Sequence, residues 1–188
     1  TDAARLATFG GIDRLLVECL GWEHPFIEVE HSDEAGGKSD YILGTPPKAV
    51  LEAKKQAVIF DILPGTKPTS VRKLRPLITG CKKLEAAVVQ VVQYCALSAA
   101  QIAIVCNGPQ LIVFQTKMPD ASPLDSECYV FNGFSDYISY FPLLWKILSP
   151  EGIAENVALK EISRHRNPHI PPKASTSLQE PQKYRYRS

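Results

Sequence analysis

No run of apolar residues in this sequence is long enough to cross a bilayer, and no leader pattern opens it. Both absences point to a soluble protein of the cytoplasm. Cysteine is too scattered for a disulfide framework: Cys19, Cys81, Cys95, Cys106 and Cys128 are odd in number and show no CxxC spacing. They read as buried thiols in a reducing compartment, which leaves no sulfur-ligated metal. The four histidines, His24, His31, His165 and His169, have neither metal-ligand spacing nor a triad arrangement, so a histidine-based hydrolase is disfavoured. An excess of one charge is also missing. With 21 Lys and Arg against 20 Asp and Glu the net charge is +1, so any grip on nucleic acid must come from local clusters. There is no Walker A pattern, which excludes an ATP-driven motor from this stretch, and no internal repeat.

What is present bounds the class. At 188 residues and 45% hydrophobic content the chain can bury one good core, which predicts a single domain over 1–163 and a tail over 164–188. The first residue is Thr1 and not Met, which suggests a piece of something longer. Helical spacing of Leu6, Phe9, Ile12, Leu16, Cys19 and Leu20 predicts an amphipathic opening helix over 2–20, with Asp2 as N-cap, Gly21 as stop and weak points at Gly10 and Gly11. Three extended segments follow, at 26–30, 39–43 and 49–55, and suggest an antiparallel meander. Residues 61–82 read as irregular, broken by Pro64, Gly65, Pro68 and Pro76. A helix is expected over 84–98, then strands at 102–106 and 110–115 joined across Asn107-Gly108. A last core helix spans 134–148, interrupted or kinked near Pro142, and a short helix lies within 150–163. The fold class is α/β: a mixed central sheet flanked by helices on both faces, with a later strand reached by a helical crossover.

The segment KSDYILGTPPKAVLEAKK, residues 38–55, carries the chemistry. Strand alternation sends Val50, Glu52 and Lys54 to one face and Ala49, Leu51 and Ala53 to the other. Gly44, Pro46 and Pro47 mark a turn that returns Asp40 beside Glu52. Two carboxylates and an ammonium group then converge. Such a trio can hold a hard divalent cation through oxygen ligands, and hydrolysis of a phosphodiester fits it. An amphipathic strand with its polar half in water would show the same Glu and Lys spacing, and on the trio alone that alternative stays open.

FGGIDRLLVECLGW, DYILGTPPKAVLEAKK, QVVQY and IAIVCNGPQLIVF occur in an order that resembles the N-terminal nuclease domain of type I restriction enzyme motor subunits, members of the PD-(D/E)xK nuclease superfamily. The resemblance covers about residues 6–148. It implies a restriction-endonuclease-like core and a magnesium-dependent endonuclease, with Mn2+ able to substitute, that cuts DNA in bacterial defence. An RNase on the same scaffold is an alternative. Asp40 and Glu52 would hold the metal, Lys54 would position or activate the attacking water, and Gln90 of the QxxxY pair would orient the lysine or the water. Tyr94 would support that helix or touch nucleic acid, and the backbone carbonyl of Ala53 would add a metal ligand. The resemblance allows Glu18 as a further helix-borne ligand, although its own setting reads as the solvated face of the opening helix. Ser39 stands where the superfamily's name has proline; the chemistry needs the carboxylate that follows it. A motor or recognition module would lie beyond Ser188 or in a partner, and double-strand cutting would need two such sites, as in a homodimer, or two visits by one.

Other candidates are less specific. Glu28 and Glu30 alternate on the first strand, where a solvent-facing edge is the simpler reading. Arg72, Lys73, Arg75, Lys82 and Lys83 lie between the trio and the QxxxY helix, and form either a phosphate-contacting loop or a solvated one. From Arg164 to Ser188 six Lys or Arg face a single acid, Glu180, among prolines and a Ser/Thr run, the composition of a basic linker or tail.

Overall fold

The computed structural model describes residues 11–32, 38–55, 57–63, 65–69, 71–118 and 120–166. The expected helical residues 2–10, the weak point at Gly10 and the tail beyond Arg166 lie outside them. Strand-forming stretches assemble into one seven-stranded sheet built from β1 (Ile27–Ser32), β2 (Lys38–Leu43), β3 (Ala49–Ala53), β4 (Arg72–Lys73), β5 (Ile102–Cys106), β6 (Gln110–Gln115) and β7 (Glu127–Asn132). The spatial order is β1-β2-β3-β5-β6-β7-β4. β1, β2 and β3 form the expected antiparallel meander, and β3 runs parallel to β5. That parallel pair is bridged by α3 (Lys82–Ser98), the helical crossover the sequence calls for.

Two apolar layers sandwich the sheet. On one face Leu43, Ala49, Leu51, Ile104 and Phe131 pack against Ile12 and Leu16 of α1 (residues 11–19) and against α5 (Phe141–Leu148), α6 (Pro150–Ala154) and α7 (Val157–Arg166). On the other face Val50, Ala103, Val105, Ile112 and Val130 meet α2 (Leu74–Thr79) and α3 through Leu74, Leu84, Val88 and Val91. Helices therefore cover both faces. Trp22, 3% exposed, pins the end of α1 to the other helices by donating its indole N–H to the carbonyl of Leu148 at 2.9 Å. Gly152 allows α6 to close on α5: a Cβ there would stand 2.2 Å from the carbonyl oxygen of Lys146.

Several elements differ from expectation for identifiable reasons. Gly11 is helical, and the winding of α1 changes later, where Leu15–Cys19 takes π-helical form. Residues 61–82 are not wholly irregular, since they contain β4 and α2. Pro76 is tolerated because it sits in the first turn of α2, where a backbone N–H has no helical acceptor. β7 lacks a period-2 signal because its central residues, Cys128 to Phe131, are buried on both faces. The 134–148 helix is two, α4 (Phe134–Ser139) and α5, separated at Tyr140 with Pro142 in the first turn of the second. Residues 150–163 hold α6 and α7, and α7 runs to Arg166, past the expected domain limit. Four cysteines are buried as expected, but Cys19 is exposed. Among the described residues no helix is long and apolar enough to cross a membrane.

Candidate active site

The β2–β3 hairpin builds the site locally. Gly44 adopts φ +91°, a left-handed conformation closed to most side chains, and a Cβ there would lie 3.2 Å from Cγ of Lys48. The turn sets the register Tyr41↔Leu51, Ile42↔Val50 and Leu43↔Ala49. One further step along it brings Asp40 beside Glu52. Asp40 Oδ2 accepts the backbone N–H of Ala53 at 2.7 Å, so the peptide between Glu52 and Ala53 lies within the carboxylate pair.

Glu52 is 2% exposed. This removes the alternative of a strand with its polar half in water: the face carrying Val50 and Glu52 lies under α3. Lys54 Nζ donates to Glu52 Oε1 at 2.5 Å and to Gln90 Oε1 at 2.8 Å. Gln90 Nε2 donates in turn to the Tyr94 hydroxyl at 3.1 Å, which fixes the amide with its oxygen toward the lysine. The i, i+4 spacing on α3 thus places Gln90 and Tyr94 in one hydrogen-bonded row with the strand-borne ion pair. Burial pushes the Glu52 carboxyl up to about 7; the Lys54 hydrogen bond opposes this and the Asp40 charge reinforces it.

Glu52 Oε2 is buried and, among the described residues, has no hydrogen-bond partner. A buried carboxylate oxygen without a partner is costly unless something positive meets it. Asp40, Glu52 and the Ala53 carbonyl are oxygen donors of the kind a hard cation takes. Among the described residues no three His, Cys, Asp or Glu side chains gather into a ligand cluster. A donor set of two carboxylates suits Mg2+, which keeps much of its water, and suits zinc or an all-protein calcium cage poorly.

A second layer holds these residues in place. The backbone N–H of Lys54 donates to the carbonyl of Cys106 at 2.7 Å, extending the β3–β5 pairing by one residue. The next residue, Asn107, is fully buried and donates to the carbonyl of Val58 at 2.7 Å and to Gln110 Oε1 at 2.8 Å. Gln110 clasps Phe60 with both ends of its amide: Oε1 accepts from Phe60 N at 2.8 Å and Nε2 donates to Phe60 O at 2.9 Å. The same Nε2 reaches Asn132 Oδ1 at 2.7 Å. Sequence reasoning assigns Asn107 to the turn alone and passes over Gln110. The available signal was an amide residue heading an otherwise apolar strand, where only a buried partner would justify it.

The remaining candidates are distributed differently. Glu18 pairs with Arg14 at 3.1 Å on the exposed surface of α1 and does not join the trio. Glu28 is exposed on β1, the edge strand, as the simpler reading has it, whereas the side chain of Glu30 lies outside what the structure describes. Arg72 and Lys73 are near the trio in sequence only. Their strand, β4, lies four strand spacings from β3, about 19 Å at ordinary sheet spacing. Lys73 pairs with Glu127 at 3.0 Å, and Arg75 pairs with Asp125. Lys82 and Lys83 are exposed in the first turn of α3, about 12 Å up the helix axis from Gln90. Of the five basic residues, these two lie on the helix that carries Gln90. The chain matches no family model, no curated protein and no solved structure.

Proposed function

We propose that this chain is a metal-dependent endonuclease domain with a restriction-endonuclease-like core, acting on DNA and forming part of a larger restriction or defence protein. The observation that carries the reading is Glu52: a carboxylate buried beside Asp40, bound through one oxygen to Lys54 and presenting the other without a partner. Asp40, Glu52 and the Ala53 carbonyl would hold Mg2+, or Mn2+ in its place. The bound cation supplies a lowered pKa for coordinated water and neutralises charge on the phosphodiester.

The side chains supply the rest. Glu52 gives up its proton to become a ligand, and the Lys54 ammonium, held by Glu52 and Gln90, stabilises the resulting anion. An ammonium has three N–H donors. Two are taken by Glu52 Oε1 and Gln90 Oε1, which leaves one for the attacking water or a phosphate oxygen. Gln90, braced by Tyr94, sets that direction, and Lys82 and Lys83 add positive potential along the approach of the nucleic acid.

Cleavage of plasmid DNA and of structured RNA in Mg2+ or Mn2+, with wild type, Asp40→Ala and Lys54→Ala, tests the reading. Metal-dependent DNA cutting lost in both variants is the expected result. Cutting that survives both would sink the site assignment. Cutting confined to RNA would make the domain a ribonuclease, and salt-sensitive binding without cutting would make it a noncatalytic binding module.

A further inference from the structure

Ile59 and Leu63 are 63% and 77% exposed, an unusual setting for large aliphatic side chains so near a candidate catalytic centre. They do not belong to a loose loop. The carbonyl of Val58 is held by Asn107, Phe60 is clasped at both N and O by Gln110, and the carbonyl of Leu63 accepts from Thr66 Oγ1 at 2.8 Å. Phe60 and Ile62 are buried in the layer that covers Val50 and faces α3. Exposure therefore alternates along the segment, with Ile59, Asp61 and Leu63 outward and Phe60 and Ile62 turned into the layer shared with Val50 and α3.

The ridge is also close to the trio. Four residues lie between Lys54 and Ile59, so five chain steps bound their separation at about 18 Å. A turn that bonds Val58 N to Lys55 O at 2.8 Å shortens it. A duplex with a phosphate at Lys54 would reach Ile59 within about five base steps at 3.4 Å each. Asp61, exposed between the two aliphatic residues, would repel phosphates, so the ridge is not a track for the backbone. Its apolar tips match what lies between the phosphates, the base step exposed in a groove, where aliphatic side chains unstack and kink duplexes.

We propose that Ile59 and Leu63 form a rigid wedge that enters a groove of duplex DNA at the cleavage site, opens a base step and so lowers the scissile phosphate toward Lys54. The proposal rests on the nuclease reading above and assigns the substrate as a duplex that must be distorted before it is cut.

The test uses the full chain and short duplexes carrying 2-aminopurine at each step in turn, bound in Ca2+, together with cleavage of the same duplexes in Mg2+. Wild type is expected to raise 2-aminopurine fluorescence at one step. The Ile59→Ser, Leu63→Ser double variant, altered only at exposed positions, is expected to bind without that rise. It should cut the intact duplex at least tenfold more slowly and regain its rate on a duplex with a mismatched bubble at that step. Ile59→Leu, Leu63→Met should keep the signal. A double serine variant that cuts intact duplex at the wild-type rate overturns the wedge, as does wild-type binding with no fluorescence rise. Wild-type binding with the rise but no cutting in Mg2+ or Mn2+ would uphold the wedge and remove the nuclease.

Discussion

Two glutamates in this sheet make the same first contact. Glu52 and Glu127 each give one oxygen to a lysine, Lys54 or Lys73, and each buries the other oxygen without a partner. Their company separates them. Glu52 sits on the third strand of the sheet with Asp40 beside it and Gln90 bonded to its lysine, whose side chain is 26% exposed. Glu127 pairs with an edge strand, its lysine is 60% exposed, and the nearby carboxylate, Asp125, is bound to Arg75. An orphaned oxygen alone does not mark a metal site. The proposed metal site rests on more: a second carboxylate, a shielded lysine and an amide that fixes the lysine's direction.

The largest expected effect breaks the two apart by activity. Glu52→Gln should reduce metal-dependent cleavage by roughly a thousandfold or more, since it removes a ligand and the anion that Lys54 serves. Glu127→Gln should cut at the wild-type rate, and equal losses in both would refute the distinction.

A pH titration of stability in chelator comes next. Glu52 titrates near 7 in the folded protein against 4.5 ordinarily, so the native state keeps a proton that the unfolded chain releases between those values. Stability should be full below about 4.5 and fall as pH rises toward 7, by about 3 kcal/mol in all at 1.36 kcal/mol per pH unit. Urea unfolding of Glu52→Gln should lack this decline, leaving the variant more stable than wild type above pH 7 but inactive. A slope unchanged by the substitution would assign the decline to other groups.

Metal should then distinguish the pairs without any substrate. At a hundredfold excess over its dissociation constant, Mg2+ or Mn2+ should stabilise wild type and Glu127→Gln by about 2.7 kcal/mol in thermal unfolding. Asp40→Asn and Glu52→Gln should show no such gain. The smallest effect concerns the amide: Gln90→Ala, which frees the lysine to rotate, should slow cleavage about tenfold and leave metal stabilisation in place. Loss of both would make Gln90 part of the ligand set.

Much of the site was legible because it is local. Asp40, Glu52 and Lys54 share one hairpin, and Gly44 with its prolines announces the turn that aligns them. Gln90 and Tyr94 came from the resemblance, and helical spacing then put them on one face. The burial of Glu52 was not legible, because strand alternation shows that two faces differ and does not say which helix covers either. The remoteness of Arg72 and Lys73 was hidden for a related reason: β4 pairs with β7, far along the chain, and a two-residue edge strand carries no periodic signal of its own. Asn107 and Gln110 escaped because their task is to complete the bonding of a segment fifty residues earlier.

The bond from Lys54 N to the carbonyl of Cys106 has a consequence for the order of events during synthesis. β3 can find β2 as soon as the hairpin emerges, but its other edge stays open until α3 and β5 have been made. A nascent chain ending before α3 lacks both the helix that covers Glu52 and the Gln90 that holds its lysine. Among the described residues the one fully buried acid comes into being only when the crossover closes. Until then a growing chain holds the residues of the trio without the packing that buries Glu52.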